Sequence, residues 1–289
     1  MTIELSRPAV GELDDVVTHL GHWQRTGAPI QLHPGDVGWF SLRGPDALAS
    51  RLRVWRRDGA PVAVGLLDEP TLIRMAMAPE VDGDSAVAEQ LARDLGSADA
   101  GVLPRGAAAV EARAGVALRA LLPQRGWVLD DPWIPVRLDL TEEPPDLGVE
   151  LGLTVEVVDE TNAGDWFAVH AAAFGGRGGV YWEQLRRSIP FRRGICLLGR
   201  DSSGAAAACI AAWSAGEGRP GLIEPLGVHP DHRRRGFGRA MNLAAGRVLR
   251  SMGAPEVTVC TPVTQTGAAE VYAASGFVTE DEVCDFVRT

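Results

Sequence analysis

The pattern of apolar and polar positions in the C-terminal half predicts strands that alternate with helices. Residues 222–228 form an apolar run that leads to a helical pattern at about 238–252, where apolar residues recur every three or four positions. A strand pattern follows over residues 256–261, and then a short helix that runs through Tyr272. Alternation with a period of two indicates strands, and a period near 3.6 indicates helices. We therefore expect an α/β fold (an α+β mixed sheet) with helices on its faces.

The N-terminal half repeats this order of elements. It shows strand, helix and strand patterns in turn over residues 71–77, 86–95 and 107–111. Pro230 follows Pro79 by 151 residues, and Gly276 follows Gly126 by 150. Two reference points at nearly one offset favour a tandem duplication, although two unrelated α/β units could share this order by chance.

The length of 289 residues suggests two domains, since a domain usually holds ~100–200 residues. Residues 140–148 combine acidic side chains with two prolines and a glycine near the midpoint, which is typical of a linker. We place an N-terminal domain at residues 1–142 and a C-terminal domain at 150–289. Before residue 70 the pattern predicts a helix within 11–24 and two strands within 52–67.

The composition limits the chemistry without choosing it. All 28 basic residues are arginine, which excludes the lysine of a Walker-A loop or of a Schiff base. The net charge of −10 disfavours a nucleic-acid partner and favours cationic ligands.

The cysteines and the hydrophobic segments bear on metals and location. The four cysteines form no C-x-x-C pair and have no histidine at zinc-ligand spacing, so we expect reduced thiols and no metal. They are Cys196, Cys209, Cys260 and Cys284. No apolar stretch approaches the ~20 residues of a membrane span, and the first residues lack the pattern of a secretory signal. We expect a cytoplasmic protein with no membrane partner.

The segment from Glu224 to Arg239 carries the candidate chemistry. A predicted strand enters a loop that is rich in arginine and glycine, and the loop opens a helix. Free N–H groups and the dipole at a helix start favour an anion, and Gly236 and Gly238 let a phosphate approach the backbone closely. The loop therefore fits a diphosphate cradle that needs neither lysine nor Mg²⁺. A tight turn with a solvated arginine face would explain the same residues.

Two motifs in this half resemble those of a known family. Arg233-x-x-Gly236-x-Gly238 resembles the Q/R-x-x-G-x-G/A acetyl-CoA pyrophosphate loop of the GNAT superfamily of N-acetyltransferases. Ala268-x-x-x-Tyr272-x-x-x-Gly276-Phe resembles its N-x-x-A-x-x-x-Y-x-x-x-G-F signature, although Gln265 stands where asparagine is usual. The resemblance covers residues 150–289 and implies a catalytic domain that binds acetyl-CoA.

The N-terminal half keeps only the skeleton of such a domain. In place of the arginine-glycine loop it reads Glu80-Val-Asp-Gly-Asp-Ser85, and Leu122 stands where Tyr272 falls. Carboxylates at that place would repel a diphosphate. The layout resembles tandem two-domain acetyltransferases of the mycothiol synthase type, with a degenerate N-terminal domain and an active C-terminal one.

The resemblance also implies roles for single residues. Tyr272 would act as the acid that protonates the departing CoA thiolate, and Glu224 as the base that takes the amine proton through a water. His229 is a weaker alternative for the base, because it lies at the turn beside the diphosphate. The residues expected to bind acetyl-CoA are Leu226, Gly227, Val228, Arg233, Arg234, Arg235, Gly236, Phe237, Gly238, Arg239 and Gln265.

We expect the acceptor to be a primary amine of a small molecule, and the protein to be a monomer or homodimer. The glycine-rich stretch 175–179 would be either a lid over the amine or a flexible connector, and Tyr181 and Trp182 could line the acceptor pocket. Two other functions remain open. The protein could bind acyl-CoA without catalysis, as a sensor, or it could acetylate proteins.

Overall fold

The computed structural model describes residues 2–176, 179 and 181–289. The N-terminal half contains the helices and strands that the sequence predicts, in the same order, together with a first strand and two short helices between residues 34 and 51 that were not predicted. In chain order they are β1 (Ile3–Ser6), α1 (Leu13–Trp23), α2 (Pro34–Phe40), α3 (Pro45–Arg51), β2 (Leu52–Arg57), β3 (Ala60–Glu69), β4 (Leu72–Met77), α4 (Ser85–Gly96), β5 (Ala108–Glu111), α5 (Val116–Leu121) and β6 (Val128–Asp139).

The C-terminal half also contains the predicted elements. They are α6 (Gly148–Leu151), β7 (Leu153–Val157), α7 (Ala163–Phe174), α8 (Trp182–Arg186), β8 (Gly194–Asp201), β9 (Ala206–Ser214), β10 (Gly221–Val228), α9 (Phe237–Ser251), β11 (Glu256–Pro262), α10 (Thr266–Ala274), β12 (Val278–Thr279) and β13 (Val283–Arg288). The strand over 222–228 and the helix over 238–252 are confirmed to within a residue.

Within the described chain, the strands of both halves form one sheet. Twelve of them follow the order β1-β2-β3-β4-β5-β13-β6-β11-β10-β9-β8-β7, and β12 pairs with β6. Most neighbours are antiparallel, but β4 pairs with β5 and β10 with β11 in parallel. The expectation of a mixed sheet is confirmed.

The two halves exchange their last strands. The second part of β6 pairs with β11 of the C-terminal half, from Trp133 opposite Pro262 to Asp139 opposite Glu256. β13 pairs with β5 of the N-terminal half, and its Phe286 joins the N-terminal hydrophobic core. The division into residues 1–142 and 150–289 stays a prediction about the sequence, since backbone hydrogen bonds cross it.

A short helix of the N-terminal half, α2, is packed against the C-terminal half. Gly35 and Gly38 face Trp213 of β9, and a Cβ at either glycine would lie 2.6 Å or 2.4 Å from its side chain. Nothing larger than glycine fits at this spacing without movement of the tryptophan. The contact holds α2 beside β9 and β10.

His33 joins the halves just before α2. Its Nδ1 accepts a hydrogen bond from the Gly35 N–H at 2.9 Å, and its Nε2–H donates to the Pro220 carbonyl at 3.1 Å. This arrangement requires the neutral ring, because Nδ1 must be free to accept. Burial lowers the pKa of His33 from 6.5 to about 4, against the opposing effects of Asp36 and the Pro220 carbonyl.

We expect this histidine to make the folded protein sensitive to acid. The stabilisation is complete above pH 6.5 and is lost as the pH falls towards about 4, because only the unfolded chain takes up the proton in that interval. The loss amounts to about 3 kcal/mol of unfolding free energy. Urea unfolding at several pH values should show a shallower pH dependence for His33→Asn than for the wild type.

The matched control is His19→Asn. The His19 side chain on α1 is part-exposed and lies 3.2 Å from Asp15, so it is not enclosed as His33 is. This variant should keep the wild-type pH dependence. An unchanged dependence in His33→Asn would contradict the assignment.

Candidate active site

The parallel strands β10 and β11 separate after two residues of pairing. Their register covers only Gly221 with Val257 and Leu222 with Thr258, although both strands continue beyond these residues. On its other edge, β10 shifts register against β9 between Ile223 and Leu226. The two strands therefore open into a slot that begins beside Glu224.

The open edge of β10 presents backbone groups to this slot. The His229 N–H donates to the Ala207 carbonyl on the β9 side, at 2.9 Å. Because backbone groups alternate sides along a strand, those of Leu226 and Val228 point away from β9, into the slot. An extended ligand could add there like a short strand, as expected for the pantetheine arm.

Helix α9 begins at the end of the slot. Gly236 caps the helix with φ +81, and a Cβ there would lie 3.1 Å from the Leu151 side chain. The N–H groups of residues 237–239 have no acceptor within the helix because they form its first turn. Phe237 itself has a buried side chain, so only its backbone could contact a ligand.

The arginines of the loop differ in their surroundings. Arg233 donates to the carbonyls of Val228 at 3.4 Å and Ala173 at 3.2 Å, which ties the loop to β10 and α7. Arg235 lies over the Phe237 ring at 4.7 Å and 3.3 Å from Asp201. The contacts of Arg233 and Arg235 hold the loop in place and keep both guanidinium groups within it.

The remaining charged residues of the cradle lie at its rim. Arg234 is exposed and its guanidinium is 3.6 Å from Glu270 of α10. Arg239 is exposed in the first turn of α9. Gln265 is exposed at the start of α10, where its carbonyl accepts the N–H of Ala268 at 3.0 Å. The loop residues that were predicted to bind acetyl-CoA thus surround the start of α9, with Gln265 on the neighbouring helix.

Tyr272 is buried on α10, with its ring 5.2 Å from that of Phe277. Burial raises the pKa of its hydroxyl, and the nearby Glu224 raises it further. The hydroxyl therefore stays protonated at neutral pH and can donate a proton or hydrogen bond. Glu224 and Tyr272, which the sequence predicted as base and acid, lie close enough to affect each other.

Glu224 is half-buried where the slot begins. Burial is the largest cause of a pKa well above the usual value, Asp36 adds to the rise, and Arg74 opposes it. A raised pKa suits a general base that works near neutral pH. His229, the alternative base, lies at the turn after β10 and accepts the Asp231 N–H at 3.3 Å.

Sequence reasoning missed the charged network behind Glu224. Arg74 of β4 lies 2.8 Å from Asp36 and 3.1 Å from Glu111. Arg113 continues the network, at 3.5 Å from Glu111 and 3.1 Å from Asp285 of β13. The network joins the N-terminal half to the exchanged strand β13 and reaches the candidate base.

The two residues predicted to line the acceptor pocket, Tyr181 and Trp182, differ in their exposure. Tyr181 is exposed beside Phe167, with ring centroids 6.0 Å apart. Trp182 is buried against Phe191, with ring centroids 5.5 Å apart, and its place in the acceptor pocket stays a prediction. The proposed lid at 175–179 includes Arg177 and Gly178, which lie outside the described residues.

The N-terminal half satisfies with its own residues the groups that would bind a cofactor. At the start of α4, the Asp84 carboxylate accepts the N–H groups of Ala86 at 2.9 Å and Val87 at 3.1 Å. The open edge of β4 is also used, because the Leu32 N–H donates to the Met75 carbonyl and Gln31 accepts the Met77 N–H. The start of α4 and the edge of β4 are thus both occupied by groups of the N-terminal half itself, in addition to the repulsion of a diphosphate that the sequence predicts there.

Three further observations concern the part of the chain that the structure describes. No three His, Cys, Asp or Glu side chains in it come together in a way that could hold a metal ion. None of its helices is long and apolar enough to cross a membrane. All four cysteines are free: Cys196 and Cys209 are buried, while Cys260 and Cys284 are half-buried.

Residues 165–277, which contain α7, the slot, the glycine loop and Tyr272, match the acetyltransferase (GNAT) family. They form a GNAT acetyltransferase domain. The GNAT fold therefore accounts for the separated strands and for the cradle at the start of α9. Its boundaries fall within the half that the two sequence motifs indicated.

The chain is similar to a mycothiol acetyltransferase from Clavibacter michiganensis subsp. michiganensis. The two are 29% identical over 179 residues, which cover 60% of this chain and 55% of the relative. The match thus spans about half the length of that relative. It agrees with the resemblance to acetyltransferases that the sequence motifs indicated.

Solved structures share the fold over nearly the whole chain. A tandem GNAT protein from the clavulanic acid biosynthesis pathway superposes with a TM-score of 0.60 at 15% identity, covering 99% of this chain and 98% of that one. A GNAT acetyltransferase from Colwellia psychrerythraea gives a TM-score of 0.62 at 10% identity, with complete coverage of both. At these identities the likeness concerns the fold alone.

Proposed function

We propose that the protein is an acetyl-CoA-dependent N-acetyltransferase that acetylates a primary amine of a small molecule in its C-terminal half. The observation that carries this proposal is the slot between β10 and β11. It leads from the cradle at the start of α9 to Glu224, with Tyr272 beside it. One extended thioester could therefore meet the anion site, the strand edge and both titratable groups.

The reaction is a direct attack of the amine on the thioester. Ionised Glu224 takes a proton from the ammonium group through a water, and the free amine attacks the thioester carbon. The carbonyl oxygen gains negative charge, which a backbone N–H near Val228 would stabilise. The carbon–sulfur bond then breaks and Tyr272 gives its proton to the CoA thiolate. The acylated nitrogen loses its remaining extra proton, which restores the tyrosine hydroxyl, and Glu224 releases the first proton to solvent.

The charges and packing behind the slot support a small cationic acceptor. Three carboxylates (Asp36, Glu111 and Asp285) share two guanidinium groups in the buried network, which leaves an excess of negative charge that attracts an ammonium ion. Helix α2 packs against β9 and β10 at the same place and covers part of this region. A covered site fits a small amine better than a protein tail.

A second candidate is an acyl-CoA-binding protein without catalysis. The N-terminal half favours it, because there the fold persists with the equivalent positions filled by Asp84, Gln31 and Leu32. The C-terminal half differs, since it keeps a tyrosine and a glutamate whose pKa values are raised. Acetylation of a protein remains the third candidate and differs only in the acceptor.

Calorimetry and a turnover assay test these candidates in order. We expect acetyl-CoA to bind with one site per chain, since only the C-terminal half offers both an open strand edge and an uncapped helix start. Release of CoA should then be measured with a panel of small amines and with peptides. No binding at high micromolar acetyl-CoA would rule out the proposal, and binding without release for every acceptor would favour the sensor.

A further inference from the structure

Glu224 is approached by a carboxylate from the other half of the chain. Trp213 donates its Nε1–H to the Glu224 carbonyl at 2.7 Å, and the same indole packs against Gly35 and Gly38 of α2. Asp36 lies between these two glycines, and its carboxyl group is within hydrogen-bond reach of the Glu224 side chain. Two glycines and one tryptophan thus hold the two carboxyl groups together.

The Asp36 carboxylate has fixed partners on both oxygens. Oδ2 accepts the His33 N–H at 2.6 Å, and Oδ1 lies 2.8 Å from the Arg74 guanidinium. Burial opposes its ionisation, but Arg74 and the hydrogen bonds outweigh this effect and hold the pKa of Asp36 below its usual range. Asp36 therefore carries a negative charge whenever the protein is folded near neutral pH.

Four charged or titratable groups face Glu224 from the elements packed around it. They are Asp36 on α2, Arg74 on β4, Glu111 on β5 and Tyr272 on α10. Arg74 is the one cation among these four, and it already contacts Asp36 and Glu111. Two adjoining carboxyl groups do not ionise together easily, so the single proton that the pair takes up resides on Glu224 and must leave before Glu224 can act as a base.

We propose that Asp36 is a positioning residue for acetyl transfer, which accepts a hydrogen bond from Glu224 once that carboxyl group has taken the amine proton. The proton moves from the ammonium group through water to Glu224, and leaves to solvent after the product departs. This inference rests on the proposed function. It makes the N-terminal half part of the catalytic arrangement, although the positions there that correspond to the cofactor site are filled by its own residues.

Asp36→Asn tests the proposal because the amide keeps the shape and one acceptor oxygen, for the His33 N–H or for Arg74, while the negative charge is lost. We expect the acidic limb of kcat/KM against pH to move to lower pH, because ionised Glu224 no longer faces a like charge. At a pH on the acidic limb of the wild type, we compare kcat/KM divided by the plateau value of the same enzyme. This ratio should be about three- to tenfold higher in Asp36→Asn than in the wild type. Asp36→Glu keeps the charge and should keep the limb near its wild-type position.

Asp285→Asn is the matched control. It removes a carboxylate from the same network, at the Arg113 end, and should leave the acidic limb in place. Glu224→Gln should remove the acidic limb, which would assign that limb to the ionisation of Glu224. A limb that stays in place in a folded Asp36→Asn enzyme, although Glu224→Gln removes it, would overturn the proposal.

A direct titration separates this inference from the proposed function. The carboxyl carbons of glutamate can be labelled with ¹³C and followed by NMR without acetyl-CoA or amine, and the Glu224→Gln spectrum identifies the Glu224 signal. We expect that signal to titrate at lower pH in Asp36→Asn than in the wild type. Equal titration would refute the effect of Asp36 on Glu224 whether or not the protein turns over any amine. Asp36→Ser serves if the asparagine variant does not fold.

Discussion

Gly236→Glu should abolish acetyl-CoA binding. The residue caps α9 with φ +81, a conformation that L side chains rarely adopt, and its Cβ would lie 3.1 Å from Leu151. The new carboxylate would also point at the N–H groups that face the diphosphate. The introduced carboxylate and the diphosphate are both negatively charged. Two such unit charges ~4 Å apart repel by about 4 kcal/mol at an effective dielectric constant of ~20. That is about a thousandfold in affinity before strain is counted.

Two variants separate charge from strain in this experiment. Gly236→Gln brings the same backbone strain and nearly the same shape without the charge, so its binding loss should be smaller. Gly83→Glu places the same charge in the equivalent loop of the N-terminal half, where a Cβ meets no atom within 4 Å, and affinity should be unchanged. Calorimetry that shows two sites per chain, or residual tight binding in a folded Gly236→Glu protein, would mean that the halves have been misassigned.

Tyr272→Phe should separate binding from turnover. The ring, with its packing against Phe277, is retained, while the proton donor to the CoA thiolate is lost. We expect the dissociation constant for acetyl-CoA to stay within a few-fold of wild type, and kcat to fall by roughly 10²–10⁴, the scale of acid–base assistance. Unchanged kcat with wild-type affinity would exclude the acid role.

The motif around the cofactor loop could be predicted from sequence because it is local. The strand over 222–228, the glycine at the helix start and the tyrosine on the next helix all lie within about fifty residues, and each has a periodic or conformational signal. Gly236 indeed adopts positive φ, and Glu224 and Tyr272 lie close together. Their assigned roles stay predictions until the variants are measured.

The partner of Glu224 could not be predicted in this way. Asp36 is 188 residues away in sequence, on a helix of seven residues that has two glycines and too few turns to show a clear period. Its position depends on the contact with Trp213, which has no local signal. The same limit applies to the N-terminal loop, where Asp84 was expected only to repel a phosphate and is found capping α4.

The exchange of strands could not be predicted either. The alternating patterns of β6 and β13 are satisfied equally well beside β5 or β11, so only the packing of the whole chain selects the partners. Phe286 illustrates this choice, since it is buried in the core of the other half.

This exchange also restricts how the chain can be divided or inherited. A fragment that ends in the linker would carry β6 without β11 and would expose β5, while the complementary fragment would expose β11 and carry an unpaired β13. Open strand edges of this kind recruit other chains. A gene for one half alone would therefore encode an incomplete sheet with open edges, so each half depends on the other to complete its strand pairing.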